Sequence, residues 1–304
     1  MLDKHLQVKK HHFKVRNCKP VYIKTFGDLH YCSSFQDKKL TKIKNEILKS
    51  PTDYLIITGD LNDSTSYLYD NKEKRDTLIQ WIESLSSQVK VFLTFGNHDF
   101  TYYNGRQRRK DVNEEFFEEL KEIPNLCLSH YTPYYEDDSV IVCQLELDYD
   151  YYYLHDEVES VGALIEILET QKENMTNLDD EKLKVLVVHS PLRITHPKVL
   201  KYIKEFDLII AGHMHNGLIP PLLTYFLPGN RGIVSPYFEP LTDNARRVKQ
   251  ITIDGHTIKL LITGGITKLQ ECAPFHIGLL NCLFTMQMDE ISINEEQTLM
   301  LNKK

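Results

Sequence analysis

The sequence predicts an α/β fold, in which a parallel sheet of successive β-α-β units is followed by a second, mixed sheet. Three observations carry this expectation. Apolar, β-rich runs alternate with helical periodicity through the first hundred residues, which is the pattern of right-handed crossovers in a parallel sheet. Residues 250–253 and 257–262 flank Asp254-Gly255-His256 with no helix between them, so a hairpin with a slightly long turn is expected late in the chain. Five of the apolar runs end in Asp, Asn or His.

In chain order, residues 1–20 are polar and carry the basic clump Lys9-Lys10-His11-His12, so they are expected to be a frayed or edge segment. A strand over 21–26 leads to a helix over 36–50, where Leu40, Ile43, Ile47 and Leu48 fall at helical spacing and Pro51 stops the pattern. A second unit follows: a strand over 54–58, a helix over 73–87 with Leu78, Ile79, Trp81, Ile82 and Leu85, and a strand over 90–95. Residues 112–123 form a third amphipathic helix, before short apolar runs at 126–128 and 140–147. Between these runs, Tyr131-Thr132-Pro133-Tyr134-Tyr135 and the acidic, tyrosine-rich stretch 148–153 fit no period and are expected to be loops. Helical periodicity resumes over 158–171, a polar connection spans 174–181, and a strand covers 184–188. Pro197 suits the first turn of a helix reaching Phe206, because its missing N–H costs nothing there. A strand over 207–211 follows.

The chain has 304 residues, 41% of them hydrophobic, enough to bury one sizeable core. No repeat, low-complexity tract or linker divides it, so residues 1–304 are expected to be a single domain with 1–20 as a peripheral segment. The formal charge of −7 supplies no chain-wide basic field, so nucleic acid is not the favoured partner and anion binding must be local. The first residues lack an apolar leader, and no later stretch is apolar for long enough to span a bilayer. A cytoplasmic location is therefore expected. Six cysteines without CxxC spacing read as reduced thiols.

The polar strand endings carry the chemistry. Gly27-Asp28-Leu29-His30 closes the first strand, Gly59-Asp60-Leu61-Asn62-Asp63 the second and Gly96-Asn97-His98-Asp99 the third. His189 ends the strand over 184–188, and Gly212-His213-Met214-His215 ends the one over 207–211. Carboxylates, an amide oxygen and imidazoles make a mixed nitrogen and oxygen donor set, which suits manganese, iron, zinc or cobalt better than calcium. Two metals can share it. The glycines can simply end strands, and such turns also expose the polar side chains.

Taken together these motifs resemble the calcineurin-like metallophosphoesterases, whose order of D-x-H, GD-x-x-D, GNH-[DE], H and GH-x-H is present from about Phe26 to Asn216. The resemblance implies a four-layer α-β-β-α sandwich with two mixed β-sheets, the metallophosphoesterase fold. It implies a metal site of Asp28, His30, Asp60 and His215 and another of Asp60, Asn97, His189 and His213, with Asp60 bridging. His98 would face the substrate, stabilising the transition state or protonating the leaving oxygen, and Asp99 would orient His98. Two divalent ions about 3.5–4 Å apart would activate a bridging hydroxide for attack on phosphorus. Manganese is the preferred choice, with iron and zinc as alternatives. Tyr31 stands where many members have Gly, so its ring is expected to crowd or wall the site. Ser64-Thr65 after Asp63, and Asp rather than Glu at position 99, depart from the Ser/Thr protein phosphatase branch.

The substrate is read from thinner signals. Arg106, Arg108 and Arg109 follow the third motif closely and could receive the substrate's non-reacting phosphates, with Arg193 as a further candidate. A solvated basic loop is the plainer alternative for the first three. Residues 220–228 are an apolar loop beyond the last histidines, either packed on the core or acting as a lipid-facing lip at a membrane surface. The expectation is a phosphodiesterase acting on a small or lipid-linked phosphodiester or pyrophosphate. A nuclease or cyclic-nucleotide phosphodiesterase is the alternative, and a non-catalytic scaffold of the same fold is a more remote one.

Overall fold

The computed structural model describes residues 6–32, 35–104, 107–154, 157–214, 248–267 and 286–294. Within them, alternation of side chains along the strands decides the architecture. In β3 (Tyr54–Ile57), Leu55 and Ile57 join one core while Tyr54 and Ile56 join another. In β10 (Leu183–Val188), Leu186 and Val188 join a third core, and Leu183, Val185 and Val187 share the core of Tyr54 and Ile56. Successive residues of a strand face opposite ways, so both strands are buried on both faces and two sheets meet across the shared core. The result is the α-β-β-α sandwich.

The first sheet runs in the order β1 (Leu6–Phe13), β14 (Met286–Ile293), β2 (Val21–Phe26), β3, β4 (Lys90–Leu93) and β7 (Leu126–Leu128). Its β2, β3, β4 and β7 are parallel, and β14 is antiparallel to β2. The second sheet runs β12 (Val248–Ile253), β13 (His256–Ile262), β11 (Leu208–Ala211), β10, β9 (Val140–Leu145) and β8 (Tyr134–Glu136). There β13, β11, β10 and β9 are parallel, while the edge strands β12 and β8 are antiparallel to their neighbours. On the outer face of the first sheet, α1 (Lys38–Ile47), α3 (Lys72–Ser86) and α4 (Glu114–Lys121) bury Ile43, Trp81 and Phe117. On the outer face of the second, α5 (Glu157–Thr170) and α6 (Pro197–Ile203) bury Leu164, Leu168, Val199 and Ile203.

Several local expectations are corrected. Of the two readings of the first segment, frayed or edge, the edge strand holds: β1 pairs in parallel with β14 along its whole length and forms the sheet edge. Its partner lies some 280 residues away, beyond the reach of any local signal. Ser64 caps a short helix, α2 (Thr65–Asp70), through its side chain and Tyr67 N. Too short to show periodicity, it was not anticipated. Tyr134–Glu136 adds β8 to the sheet, and Tyr149–Tyr153 winds into a 3-10 turn. In the basic stretch after the third motif, β5 (Thr101–Asn104) and β6 (Gln107–Lys110) pair antiparallel.

Asp137 ties the two sheets together at the end opposite the polar strand termini. It accepts from Tyr54 Oη at 2.6 Å, Tyr135 Oη at 3.0 Å, Ser139 N at 2.8 Å and Val140 N at 3.0 Å. Burial would push its carboxyl up, but these donors outweigh burial and hold it below the ordinary carboxylate range. A depressed folded pKa means stability that is fully present above the unfolded value of about 3.9 and is lost as pH falls through the folded value. Asp137→Ala is therefore expected to cost about 1–2 kcal/mol at pH 7, allowing for partial exposure of the carboxylate. Urea melts should show that difference shrinking towards zero below about pH 3. A constant difference across that range would remove the carboxylate from the explanation.

Candidate metal centre

The parallel strands β2, β3 and β4 of one sheet and β10 and β11 of the other all deliver their carboxyl ends to the same place. Open α/β sheets bind their ligands at such ends. Asp28 and His30 follow β2, Asp60 follows β3, Asn97 follows β4, His189 follows β10 and His213 follows β11. These six are drawn together, and the seventh expected ligand, His215, lies outside the described residues.

Asp60 is the centre of the cluster. Its Oδ2 lies 3.2 Å from His189 Nε2 and 3.7 Å from His30 Nε2, and its Oδ1 accepts from His98 N at 2.8 Å. His213 Nδ1 is 3.2 Å from His189 Nε2, and His213 N donates to Asp28 Oδ1 at 3.1 Å. Donor atoms of His30, Asp60 and His98 lie within 4.8 Å of one another, as do those of Asp60, His189 and His213. Asp60 belongs to both groups. His189 Nδ1 faces the carbonyl of Thr58, an acceptor only, so Nδ1 carries a hydrogen and Nε2 is the ring atom turned towards the cluster.

The backbone is bent to make this possible. Asp28, His30, Asp60 and His213 have φ of 53°, 48°, 51° and 67°. His30 and His213 are the only described residues with positive φ that are neither Gly, Asn nor Asp. Such conformations cost about 1–3 kcal/mol each and gather where function holds them. Close approach also explains two glycines. A Cβ on Gly96 would stand 2.3 Å from Asp60 Oδ1, and one on Gly59 would stand 2.6 Å from His189 Nδ1.

Electrostatics follow from the crowding. Burial pushes the Asp60 carboxyl up, but the imidazoles of His189, His98 and His30 outweigh it and hold the group well below the ordinary range. Burial opposes charge on His30 and His189, yet Asp63 and Asp60 raise the first to about 9 and Asp60 raises the second to about 9. Burial, aided by the Asp60 charge, lifts Asp99 to about 7, and burial takes His98 below its usual value despite Asp60. The donor set fits divalent cations, which would replace the imidazole protons beside this carboxylate. Asn97 adds an observation of its own: its Oδ1 is buried and has no hydrogen-bond partner among the described residues. An orphaned amide oxygen at the end of β4 suits a cation.

Two residues take places other than those expected. Asp99 does not orient His98. Its Oδ1 accepts from Leu61 N, Asn62 N and Asn62 Nδ2, and its Oδ2 from Gly96 N, so it ties the second motif to the third. His98 Nδ1 is held instead by the carbonyl of Asp63 at 2.8 Å. Tyr31 does not wall the site either: it is fully buried in the first core, its hydroxyl on Asp37 at 2.7 Å. Thr58 and Asp63 went unassigned a role, although Asp63 closes the second motif and Thr58 directly precedes it. Their carbonyls orient His189 and His98, and local pattern gives no sign of which backbone oxygen a distant ring will meet.

Among the arginines, Arg108 donates from Nε to Tyr149 Oη at 3.2 Å and lies 4.1 Å over the Tyr153 ring, while Arg109 lies 4.6 Å over the Tyr102 ring. Both stay exposed. Arg193 is half-buried beyond β10, and its charge partly offsets the upward push that burial gives the Tyr151 hydroxyl. Arg106 and the apolar loop 220–228 lie outside the described residues.

Fold and site together define the class: a two-sheet α/β protein with a candidate dinuclear metal centre on its strand ends. Residues 22–217 match the sequence profile of the calcineurin-like phosphoesterases. The chain belongs to the calcineurin-like phosphoesterase family. A relative from Aquifex aeolicus (strain VF5), described as an uncharacterized metallophosphoesterase, is 22% identical over 204 residues, 66% of this chain and 64% of its own length. Similar solved structures include the phosphopantetheinyl hydrolase of Mycobacterium tuberculosis, 16% identical with a TM-score of 0.43 over 83% of this chain and 93% of that one. Another is a dimetal phosphatase from Danio rerio, 11% identical with a TM-score of 0.43 over 81% of this chain and 87% of that one. Among the described residues, no helix is long and apolar enough to cross a membrane.

Proposed function

We propose that the protein is a dinuclear metal-dependent phosphodiesterase acting on a small or lipid-linked phosphodiester or pyrophosphate. The observation that carries this is the sharing of Asp60 between two groups of donor atoms, each within 4.8 Å. Asp28, His30, Asp60 and His215 would hold one ion, and Asp60, Asn97, His189 and His213 the other. When bound, two divalent ions neutralise phosphoryl oxygens and lower the pKa of water, which is what phosphoryl transfer most needs. Manganese is the leading choice over iron and zinc.

The chain's own residues do the rest. Asp63 O fixes the His98 ring through Nδ1–H, which leaves Nε2 for the substrate. From there His98 steadies charge on the phosphoryl group or hands a proton to the leaving oxygen. Asp99 holds the loops of Asp60 and Asn97 in register through its four hydrogen bonds. Arg108, Arg109 and Arg193, with Arg106, would receive non-reacting phosphates. We take residues 1–304 as one domain, cytoplasmic, with 220–228 either packed on the core or in peripheral contact with a lipid surface.

With manganese present, bis(p-nitrophenyl) phosphate should be hydrolysed faster than the p-nitrophenyl monoester. Equal or slower turnover of the diester would discard the diesterase assignment. Less than one transition metal per chain after manganese loading would discard the enzyme. Salt-sensitive binding and cleavage of DNA or RNA would replace the small substrate with a nucleic acid.

A further inference from the structure

Tyr152 stands on the second-sheet side of the centre, in the 3-10 turn that follows β9. Its ring lies 5.3 Å from the His213 ring and 5.7 Å from the His189 ring, centroid to centroid. Although the residue is only half-buried, its hydroxyl oxygen is shut off from solvent and has no hydrogen-bond partner among the described residues. That hydroxyl is within the field of the Asp60, Glu146 and Asp99 carboxylates without being bonded to any of them. Buried hydroxyls almost always find a partner, and leaving one without costs stability. Tyr153 Oη is likewise buried without a partner among the described residues, but its ring packs on Tyr149 and Arg108, and Tyr152 is the tyrosine whose ring lies against His189 and His213.

We infer that Tyr152 is a substrate-binding residue, whose hydroxyl donates a hydrogen bond to a non-bridging oxygen of the phosphoryl group at the metal centre. This deepens the proposed function and rests on it. A phenol is the right donor for such a place. It is protonated at neutral pH, accepts or donates without net charge, and adds no cation to compete with the metals. Its position also complements His98. His98 flanks the group containing His30, with ring centroids 4.6 Å apart, whereas Tyr152 flanks His189 and His213. One donor would thus approach the phosphoryl group from each side of Asp60.

Tyr152→Phe removes the hydroxyl and keeps the ring. The test compares wild type and variant by metal content after manganese loading, by calorimetric titration with orthophosphate, and by thermal midpoint without metal. Both proteins are expected to carry the same metal load. The variant should bind orthophosphate roughly 10- to 100-fold more weakly, the loss associated with one hydrogen bond to a charged acceptor. Its metal-free midpoint should not fall, because the deleted hydroxyl bonds nothing among the described residues. Unchanged orthophosphate affinity in a metal-loaded variant overturns the inference, and so does a lowered metal-free midpoint, which would mean a structural bond. Failure of the metal-centre assignment is distinguishable: the wild type would then take up no metal, and the inference would fall with it.

Discussion

Asp60→Ala is expected to strip both divalent ions from the protein and to lower phosphoester turnover by at least about 1,000-fold. No other described residue belongs to both donor groups. Its Oδ2 is the nearest carboxylate oxygen to His189 Nε2, at 3.2 Å, and also approaches His30 Nε2 at 3.7 Å. The substitution removes the main charge that favours cationic His189, so that imidazole would become neutral at lower pH. Freed lone pairs would still lack a carboxylate to bring two cations together. Asp60→Asn keeps one oxygen in place and should fall between the two. Elemental analysis of the purified variants decides: two ions per chain in Asp60→Ala would end the shared-ligand role.

The second large effect separates adjacent residues. His98→Ala should keep both ions and slow turnover about 100- to 10,000-fold, the range for a lost acid or base. Asn97→Ala should lose or weaken one ion, since it deletes the buried Oδ1 that has no partner among the described residues. The structure gives a reason for the split. His98 Nδ1 is held by Asp63 O and its backbone N–H by Asp60 Oδ1, which sets the ring beside His30 and Asp60 with only Nε2 left for substrate. Should both variants lose metal to the same degree, the division of roles is wrong. A variant at Asp99 provides a contrast, because its four bonds to Leu61, Asn62 and Gly96 make it a brace between motifs. Its removal should disturb metal binding and stability together.

Much of this site was legible because its signals are local. A strand reveals itself by apolar alternation over four to six residues, and a glycine beside Asp or His marks the turn that exposes a ligand. Asp28, His30, Asp60, Asn97, His189 and His213 could all be placed at strand ends for that reason, and the structure brings those six to one end of the two sheets. The helices were legible in the same way. Ile43, Trp81 and Phe117, each at helical spacing within its segment, all point into the outer core of the first sheet. Their ends were less so: the helix expected over 36–50 covers Lys38–Ile47, where buried Lys24 donates from Nζ to the carbonyls of Glu46 and Ile47. That cap comes from a neighbouring strand.

Periodicity and motif order were thus sufficient for the α/β class, the strand ends and the kind of donors that gather there, because each is written within a few consecutive residues. Contacts between distant segments needed the tertiary structure. The pairing of β1 with β14 joins the two ends of the described chain, and loop length alone sets no register for such a pair. Asp99 looked like a partner for its neighbour His98, but three backbone amides and an Asn side chain compete for one buried carboxylate and win by geometry. Tyr152 looked like one of several tyrosines in an acidic loop, and its placement against His189 and His213 depends on how the second sheet folds over the first. A side chain's type is local, whereas the identity of its partner, or the lack of one, is a property of the packed whole.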